Sequence, residues 1–400
     1  MKYALVSEVV PPSWSAQAVL IHRLLAGLDS RSFCLVTSDQ GRYGGQYTAP
    51  LEVRCYRLPS APAPNLSTSS RWLAGASAVT CAVAGIALRA LHIGRVARRE
   101  RCDGIIAFTG GFHDLPAAFI ACRLLRLPLF VYMTDYYSHR EPFDPARRRL
   151  SPYIERVVTT GAAHVVCGAE PLARALRSRY GIEPTVINFP AELSLYGEGG
   201  RPSGVSAMRE LRIVYTGTVY HAQLDAVENL LAAIDLLDGR PAALHVYGGQ
   251  SESELLKLGL RGSLVIHPHA TAQAIAEVQQ AADVLFLPLA FRSPYPEIVR
   301  TSAPMKFGEY LAAGGPILVH APADSFMAEY CQRHDCAAVV GTPEPVRLAQ
   351  ALEELASDDS LRARLIRNAR ERAVDEFGVD VARAKFAQLL SLGSADVDGR

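Results

Sequence analysis

The sequence predicts an α/β protein of two domains, each a doubly wound and largely parallel sheet with helices on both faces. Three observations predict this class. Short apolar runs alternate with helical patterns along most of the chain, the arrangement that builds parallel sheets through helical crossovers. The 400 residues exceed what one hydrophobic core usually organises. A stretch dense in chain breakers, Gly197 to Gly204 (GEGGRPSG), interrupts the alternation, which then restarts. The expected division is a first domain over 1–196, a linker over 197–208, a second domain over 209–375, a helix over 376–393 that packs back on the first domain, and a disordered tail over 394–400.

In the first domain, strands are expected at Tyr3 to Val6, Phe33 to Thr37, Val53 to Arg57, Gly104 to Phe108, Leu129 to Tyr132 and His164 to Cys167, because these runs are apolar and bounded by polar or turn residues. An amphipathic helix follows the first strand from about Ala16 to Leu28. The segment Trp72 to Leu88 is apolar throughout and flanked by Arg71 and Arg89, near the lower length limit of a membrane span. A buried helix continuing to Arg99 is the favoured reading. The competing one is a surface helix leaning on a bilayer, helped by Arg89, Arg95, Arg98, Arg99 and Arg101, with Arg147 to Arg149 on the same face.

In the second domain, strands are expected at Arg212 to Thr216, Ala243 to Tyr247, Leu264 to His267, Val284 to Pro288, Ile317 to His320 and Ala337 to Val340, with helical patterns between them. Two more helical stretches, Ser360 to Asp375 and Val379 to Leu392, close the chain.

Composition excludes some function classes. With 41 basic against 40 acidic residues, no global charge favours nucleic acid. The eight cysteines form no CxxC pair and no zinc-like spacing with histidine, so they read as small buried hydrophobes in a reducing compartment. The apolar run at the N-terminus is too short for a signal peptide, so a cytoplasmic active site is expected. There is no GxSxG elbow, P-loop, HExxH or full GxGxxG.

Ligands of such sheets bind beyond the carboxyl ends of strands. In the second domain this directs attention to Gly217, Thr218 and His221 after the first strand, where a diphosphate can approach backbone N–H groups. Gly248 and His267 end the next strands, where a nucleotide base would lie. The stretch Thr301 to Ile317 (TSAPMKFGEYLAAGGPI) couples a polar approach, with Ser302 as candidate cap, to a helix carrying Lys306, Glu309 and Tyr310. Lys306 and Glu309 share a helix face, one suited to phosphate and the other to hydroxyl groups. In the first domain, the loops at 110–114 and 134–140 carry His113, Asp114, Asp135 and His139, candidates for general-base or acceptor-binding work. For Asp114 a helix N-cap is the preferred reading.

Taken together, these segments resemble the GT-B glycosyltransferases, and among them the family 4-like retaining enzymes. The resemblance runs through RCDGIIAFTGGFHDLPAAFIACRLLRLPLFVYMTD and HVVCGAEPLARALRSRYGIEPTVINFP in the first half. In the second half it runs through LRIVYTGTVYHAQLDAVENLLAAIDLL, AADVLFLPL and TSAPMKFGEYLAAGGPILV. It implies two Rossmann-like domains facing a cleft, a nucleotide-diphosphate sugar as co-substrate, and neither metal nor cofactor. Of the family's two glutamates eight apart, Glu309 matches the second, which contacts the ribose, and Thr301 stands where the first would be. The family's Arg and Lys pair is not evident after Gly217, so Lys306 with Arg300 or Arg292 is the replacement charge. Of its His-Asp pair, Asp135 alone carries over, since Thr134 replaces the histidine.

The function implied is transfer of a sugar to a glycan or lipid-linked acceptor of bacterial cell-surface polysaccharide synthesis. Asp135, His113 and Lys306 are the catalytic candidates. Gly217, Thr218, His221, Gly248, His267, Arg300, Ser302, Lys306, Glu309 and Tyr310 are the donor-binding ones. Expected partners are the nucleotide sugar, that acceptor and a peripheral contact with the inner face of the membrane. Two other readings stand beside this one: a GT-B scaffold without catalysis and a non-hydrolysing nucleotide-sugar epimerase.

Overall fold

The computed structural model describes residues 1–39, 49–62, 71–139, 145–197, 209–237 and 239–398. Apart from Gly197, the expected linker lies outside these residues. The chain forms two compact units, one of Met1–Asn188 with Ala382–Arg400 and one of Phe189–Val381.

The first unit holds a seven-stranded sheet whose described pairings are all parallel. Its strands are β1 (Tyr3–Ser7), β2 (Phe33–Thr37), β3 (Arg54–Arg57), β4 (Gly104–Phe108), β5 (Leu129–Met133), β6 (His164–Cys167) and β7 (Thr185–Val186), in the order β3-β2-β1-β4-β5-β6-β7. Leu5 registers with Leu35 on one side and Ile106 on the other. Every residue of β1, β2, β4 and β5 is buried, as expected when helices cover both faces. Those helices are α1 (Ala16–Leu25), α2 (Arg71–Glu100), α3 (Asp114–Leu125), α4 (Pro145–Gly161) and α5 (Glu170–Tyr180). The strand order reverses between β1 and β4, so the crevice at their carboxyl ends is the natural ligand position.

The sheet of the second unit has six parallel strands: β8 (Leu211–Thr216), β9 (Ala242–Tyr247), β10 (Leu264–His267), β11 (Val284–Pro288), β12 (Ile317–His320) and β13 (Ala338–Val340). Their order is β10-β9-β8-β11-β12-β13, with the reversal between β8 and β11. The helices are α6 (Leu224–Ile234), α7 (Glu252–Lys257), α8 (Ala272–Gln280), α9 (Pro296–Thr301), α10 (Lys306–Ala313), α11 (Phe326–His334), α12 (Pro345–Ser357) and α13 (Asp359–Arg372). A last helix, α14 (Val379–Asp398), ends the chain. Its Leu390 carbonyl accepts from the Tyr3 hydroxyl at 2.8 Å, and Arg383 donates to the Arg23 carbonyl at 2.8 Å.

Several expectations need correction. Helix is assigned through Asp398, across the start of the expected tail. Cys55 is exposed, since β3 is an edge strand with one side uncovered. Asp114 is no N-cap. It is the first residue of α3, its carboxylate is ion-paired with Arg89 of α2 and accepts from the Ser38 hydroxyl at 2.6 Å. Arg89 therefore leaves the proposed basic face and is buried. Arg147 also turns inward, with its guanidinium over the Phe112 ring at 5.5 Å.

Candidate donor site and acceptor-side loops

The second unit assembles its chemistry at the β8/β11 switch point. Tyr215 lies near the end of β8, and Lys306 opens α10. The Lys306 ammonium donates to the Tyr215 hydroxyl at 2.9 Å and lies 4.3 Å from the centre of its ring. The Tyr215 hydroxyl in turn donates to the Thr218 carbonyl at 3.1 Å. This fixes the ammonium against the first βα turn. A Cβ added at Gly217 would come within 2.9 Å of Lys306 Nζ, and Gly217 has φ +131°, a conformation that a side chain disfavours. Burial depresses the Lys306 pKa to about 8, against the smaller opposing fields of Tyr220 and Glu309. A cation held at such a cost beside a glycine turn suits an incoming dianion.

The turn after β9 braces this loop. Gly217 N–H donates to the Tyr247 carbonyl at 2.9 Å, and a Cβ at Gly248 would lie 2.3 Å from the Gly217 carbonyl oxygen. Gln250 clips the loop further, accepting from Val219 N–H at 2.7 Å and donating to the Val219 carbonyl at 3.0 Å. Gly248→Ala is expected to lower stability by about 1–3 kcal/mol through overpacking against backbone that must then shift. Urea denaturation measures this, and an unchanged midpoint would refute the contact.

Glu309, one turn into α10, is 6% exposed. Its carboxylate accepts from Gln279 of α8 at 3.4 Å, and the same amide donates to the Thr216 hydroxyl at 3.1 Å. Tyr196 donates to the other end of that amide at 2.7 Å, fixing its orientation. From behind, α10 is seated by aromatic packing: Phe307 meets Tyr330 and Phe377 edge-on, each at 5.4 Å. A Cβ at Gly308 would lie 3.1 Å from Phe377, which explains a glycine inside so short a helix.

Other expected donor residues fare differently. Tyr310 is a core residue: it is fully buried, and its hydroxyl accepts from Thr216 N–H at 2.9 Å, so it braces β8 and is not available to a ligand. Ser302 is not the cap of α10; it ends α9, a helix in the stretch expected as a polar approach loop, while Met305 occupies the N-cap position. Pro296 begins α9, where its missing N–H costs nothing. Arg300 is exposed and paired with Asp324 at 2.8 Å, so its charge is already matched there. Arg292 is also directed away, with its guanidinium 3.7 Å from Asp225. Asp225 also accepts from Phe291 N–H and Arg292 N–H at 3.1 and 2.8 Å, anchoring the loop after β11. Thr218 is exposed beside the glycine turn, and His221 lies next to Tyr220 and Tyr295. His267 stacks face to face on Tyr247 at 4.0 Å and shares a hydrogen bond with His245 at 3.0 Å. Burial, then the neighbouring His245 and Arg212, lower its pKa, so this flat aromatic shelf is held neutral.

In the first unit, the four residues expected on one rim are divided. His113 stands at the N-cap position of α3, with its ring packed on α2: a Cβ at Gly85 would lie 2.9 Å from it. Burial, helped by Arg89 and Arg147, lowers its pKa to about 4. Its ring packs in the helix interface, where desolvation holds it neutral and makes it a weaker base than a solvated imidazole. Asp135 is exposed just past β5, where Thr109 binds Thr134 N–H at 3.1 Å and so draws the ends of β4 and β5 together. His139 follows, with its Nδ1 3.1 Å from the Ser138 hydroxyl.

Sequence reasoning singled out neither Tyr215 nor Gln279, and it marked the loop opening at Glu8 without assigning that residue a part. The first two were read only as strand and helix residues. Glu8 stands at the β1/β4 switch point, and a Cβ at Gly110 would come 3.0 Å from its own Cβ. The Gly110-Gly111 pair was the available signal, since adjacent glycines past a strand admit a close neighbour. Among the described residues no group of three or more His, Cys, Asp or Glu could hold a metal ion.

Residues 210–358 match the glycosyl transferases group 1 family. Among curated proteins, none matches the chain by sequence. Solved structures are similar in fold over nearly the whole chain. Sucrose-phosphate synthase from Thermosynechococcus elongatus superposes with a TM-score of 0.68 at 15% identity, covering 99% of this chain and 100% of that one. HepE from Anabaena, in complex with UDP and glucose, gives 0.67 at 15% identity over 98% and 99% of the two chains. WaaG, a glycosyltransferase involved in lipopolysaccharide biosynthesis, gives 0.64 at 15% identity over 96% and 98%.

Proposed function

We propose that this protein, which has the GT-B glycosyltransferase fold and a group 1 glycosyl transferase domain over residues 210–358, moves a sugar from a nucleotide-diphosphate sugar to an acceptor hydroxyl. The observation that carries the reading is the Lys306 ammonium fixed against the Gly217 turn on the same helix that presents Glu309. Departure of a nucleoside diphosphate concentrates negative charge on phosphate oxygens. Lys306 and the N–H groups of the turn after β8 would offset that charge, so the step is proposed to need no metal. Glu309 would accept from the ribose hydroxyls, and the Tyr247–His267 shelf would stack the base.

Acceptor chemistry is assigned to the first unit, with Asp135 as the carboxylate retained from the family pattern and Glu8 beside it in function. Retention of anomeric configuration rests on the family resemblance. HepE structures contain UDP or UDP-glucose, which supports a uridine nucleotide as the first donor to test. A role in cell-surface polysaccharide synthesis at the cytoplasmic face of the membrane is consistent with the biosynthetic role named for WaaG.

A thermal-shift series with UDP-, GDP- and ADP-sugars tests this directly. A cognate donor at a hundred times its dissociation constant is expected to add about 2.7 kcal/mol of stability. If no nucleotide sugar or nucleoside diphosphate raises the melting temperature, the donor assignment fails.

A further inference from the structure

We propose that the outer face of α2, with the C-terminal end of α3, is a docking surface for a bilayer rich in anionic lipids. The residues Val83, Ala87, Leu91, Arg95 and Arg98 recur every three or four positions and are all exposed, so they form one line along the helix. Val83 is 60% and Leu91 50% exposed, large values for apolar side chains on one stripe. The line is apolar over its first two turns and basic over its last. From Val79, which is also exposed and begins it, to Arg98 it is about 28 Å long.

The basic end continues onto a second helix. Arg98 and Arg101 share a groove with Leu124, which is 65% exposed, and with Arg126. Arg101 and Arg126 both have left-handed backbone, φ 54° and 55°, at helix C-termini where glycine is usual. Among the described residues no ion pair engages Arg95, Arg98, Arg101 or Arg126, so this edge presents uncompensated positive charge next to exposed leucines.

This combination commits the surface to one occupant. A helix with an apolar stripe and flanking basic residues lies in the plane of a membrane, the stripe entering the acyl boundary and the cations meeting anionic headgroups. Ser77–Glu100 is long and apolar enough to cross a membrane. Its other face opposes that: Arg89 is ion-paired with Asp114, and Gly85 lies against His113, so that face is committed to the unit. The proposal does not depend on glycosyl transfer, since it draws only on the first unit.

The test is flotation of the full chain with phosphatidylcholine vesicles and with vesicles containing phosphatidylglycerol. Binding is expected with the anionic vesicles alone and is expected to fall with rising salt. The double variant Arg98→Glu/Arg126→Glu should lower partitioning more than about tenfold. The variant Val83→Ser/Leu91→Ser should lower it without altering its salt dependence. Circular dichroism and the melting temperature show that each variant is folded; where one is not, Arg95→Gln and Leu124→Ser serve in its place. Equal binding to neutral vesicles, no binding to either, or undiminished binding by the folded variants would overturn the proposal. So would a dimer in light scattering that the Val83→Ser/Leu91→Ser variant dissociates, which would assign the stripe to a second copy.

Discussion

Lys306→Met is expected to lower kcat for nucleotide release by about 10²–10³, the loss typical when a preorganised group facing developing charge is removed. The structure gives the reason: the ammonium is held by the Tyr215 hydroxyl and ring against the Gly217 turn, where a diphosphate would depart. Steady-state turnover with a cognate donor measures it, and a kcat within threefold of the wild type would remove Lys306 from the mechanism.

The same variant should show the opposite effect on stability. Burial brings the Lys306 pKa from its ordinary 10.5 down to about 8. The folded, unliganded protein therefore releases this proton more readily than the unfolded chain, and stability rises with pH between about 8 and 10.5. Below about 8 the penalty is complete. Methionine should then stabilise the protein at pH 7 by an amount of order 2 kcal/mol, with the gain vanishing toward pH 10.5. Donor affinity of the wild type should decline as pH rises through 8, since the neutral amine offers phosphate no charge. A donor affinity flat from pH 7 to 9.5 would contradict this.

Glu309→Gln is expected to weaken nucleotide-sugar binding about tenfold or more, because hydrogen bonds to a charged acceptor contribute about 1.5–3 kcal/mol. Glutamine preserves the shape of the side chain, so the test isolates charge from packing around Gln279 and Thr216. Isothermal titration with donor and with free nucleoside diphosphate reads the effect. Equal weakening for both places the contact on the nucleotide, as the ribose assignment requires; an unchanged dissociation constant sinks it.

The tertiary structure changed the standing of individual residues more than that of elements. In the sequence nothing local sets His113 and Tyr310 apart from Asp135 and Glu309 as polar candidates for a site. Burial separates them. His113 packs on Gly85 of a helix far away in sequence, and Tyr310 binds the Thr216 amide of β8. Likewise Arg89 belongs by sequence to a basic run, yet it faces inward because Asp114 is opposite it.

The sequence by itself determined the two parallel sheets, most strand positions, the glycine turns at Gly217 and Gly248, and the placement of Lys306 and Glu309 on one short helix. These follow from local periodicity, backbone freedom and spacing, which a linear chain carries in full. Only the tertiary structure decided which cation stands at the Gly217 turn, which carboxylate is braced by Gln279, and which face of α2 is left uncovered. Those outcomes depend on what packs against each side chain across many intervening residues, and burial and charge compensation are properties of that packing, not of the chain's order.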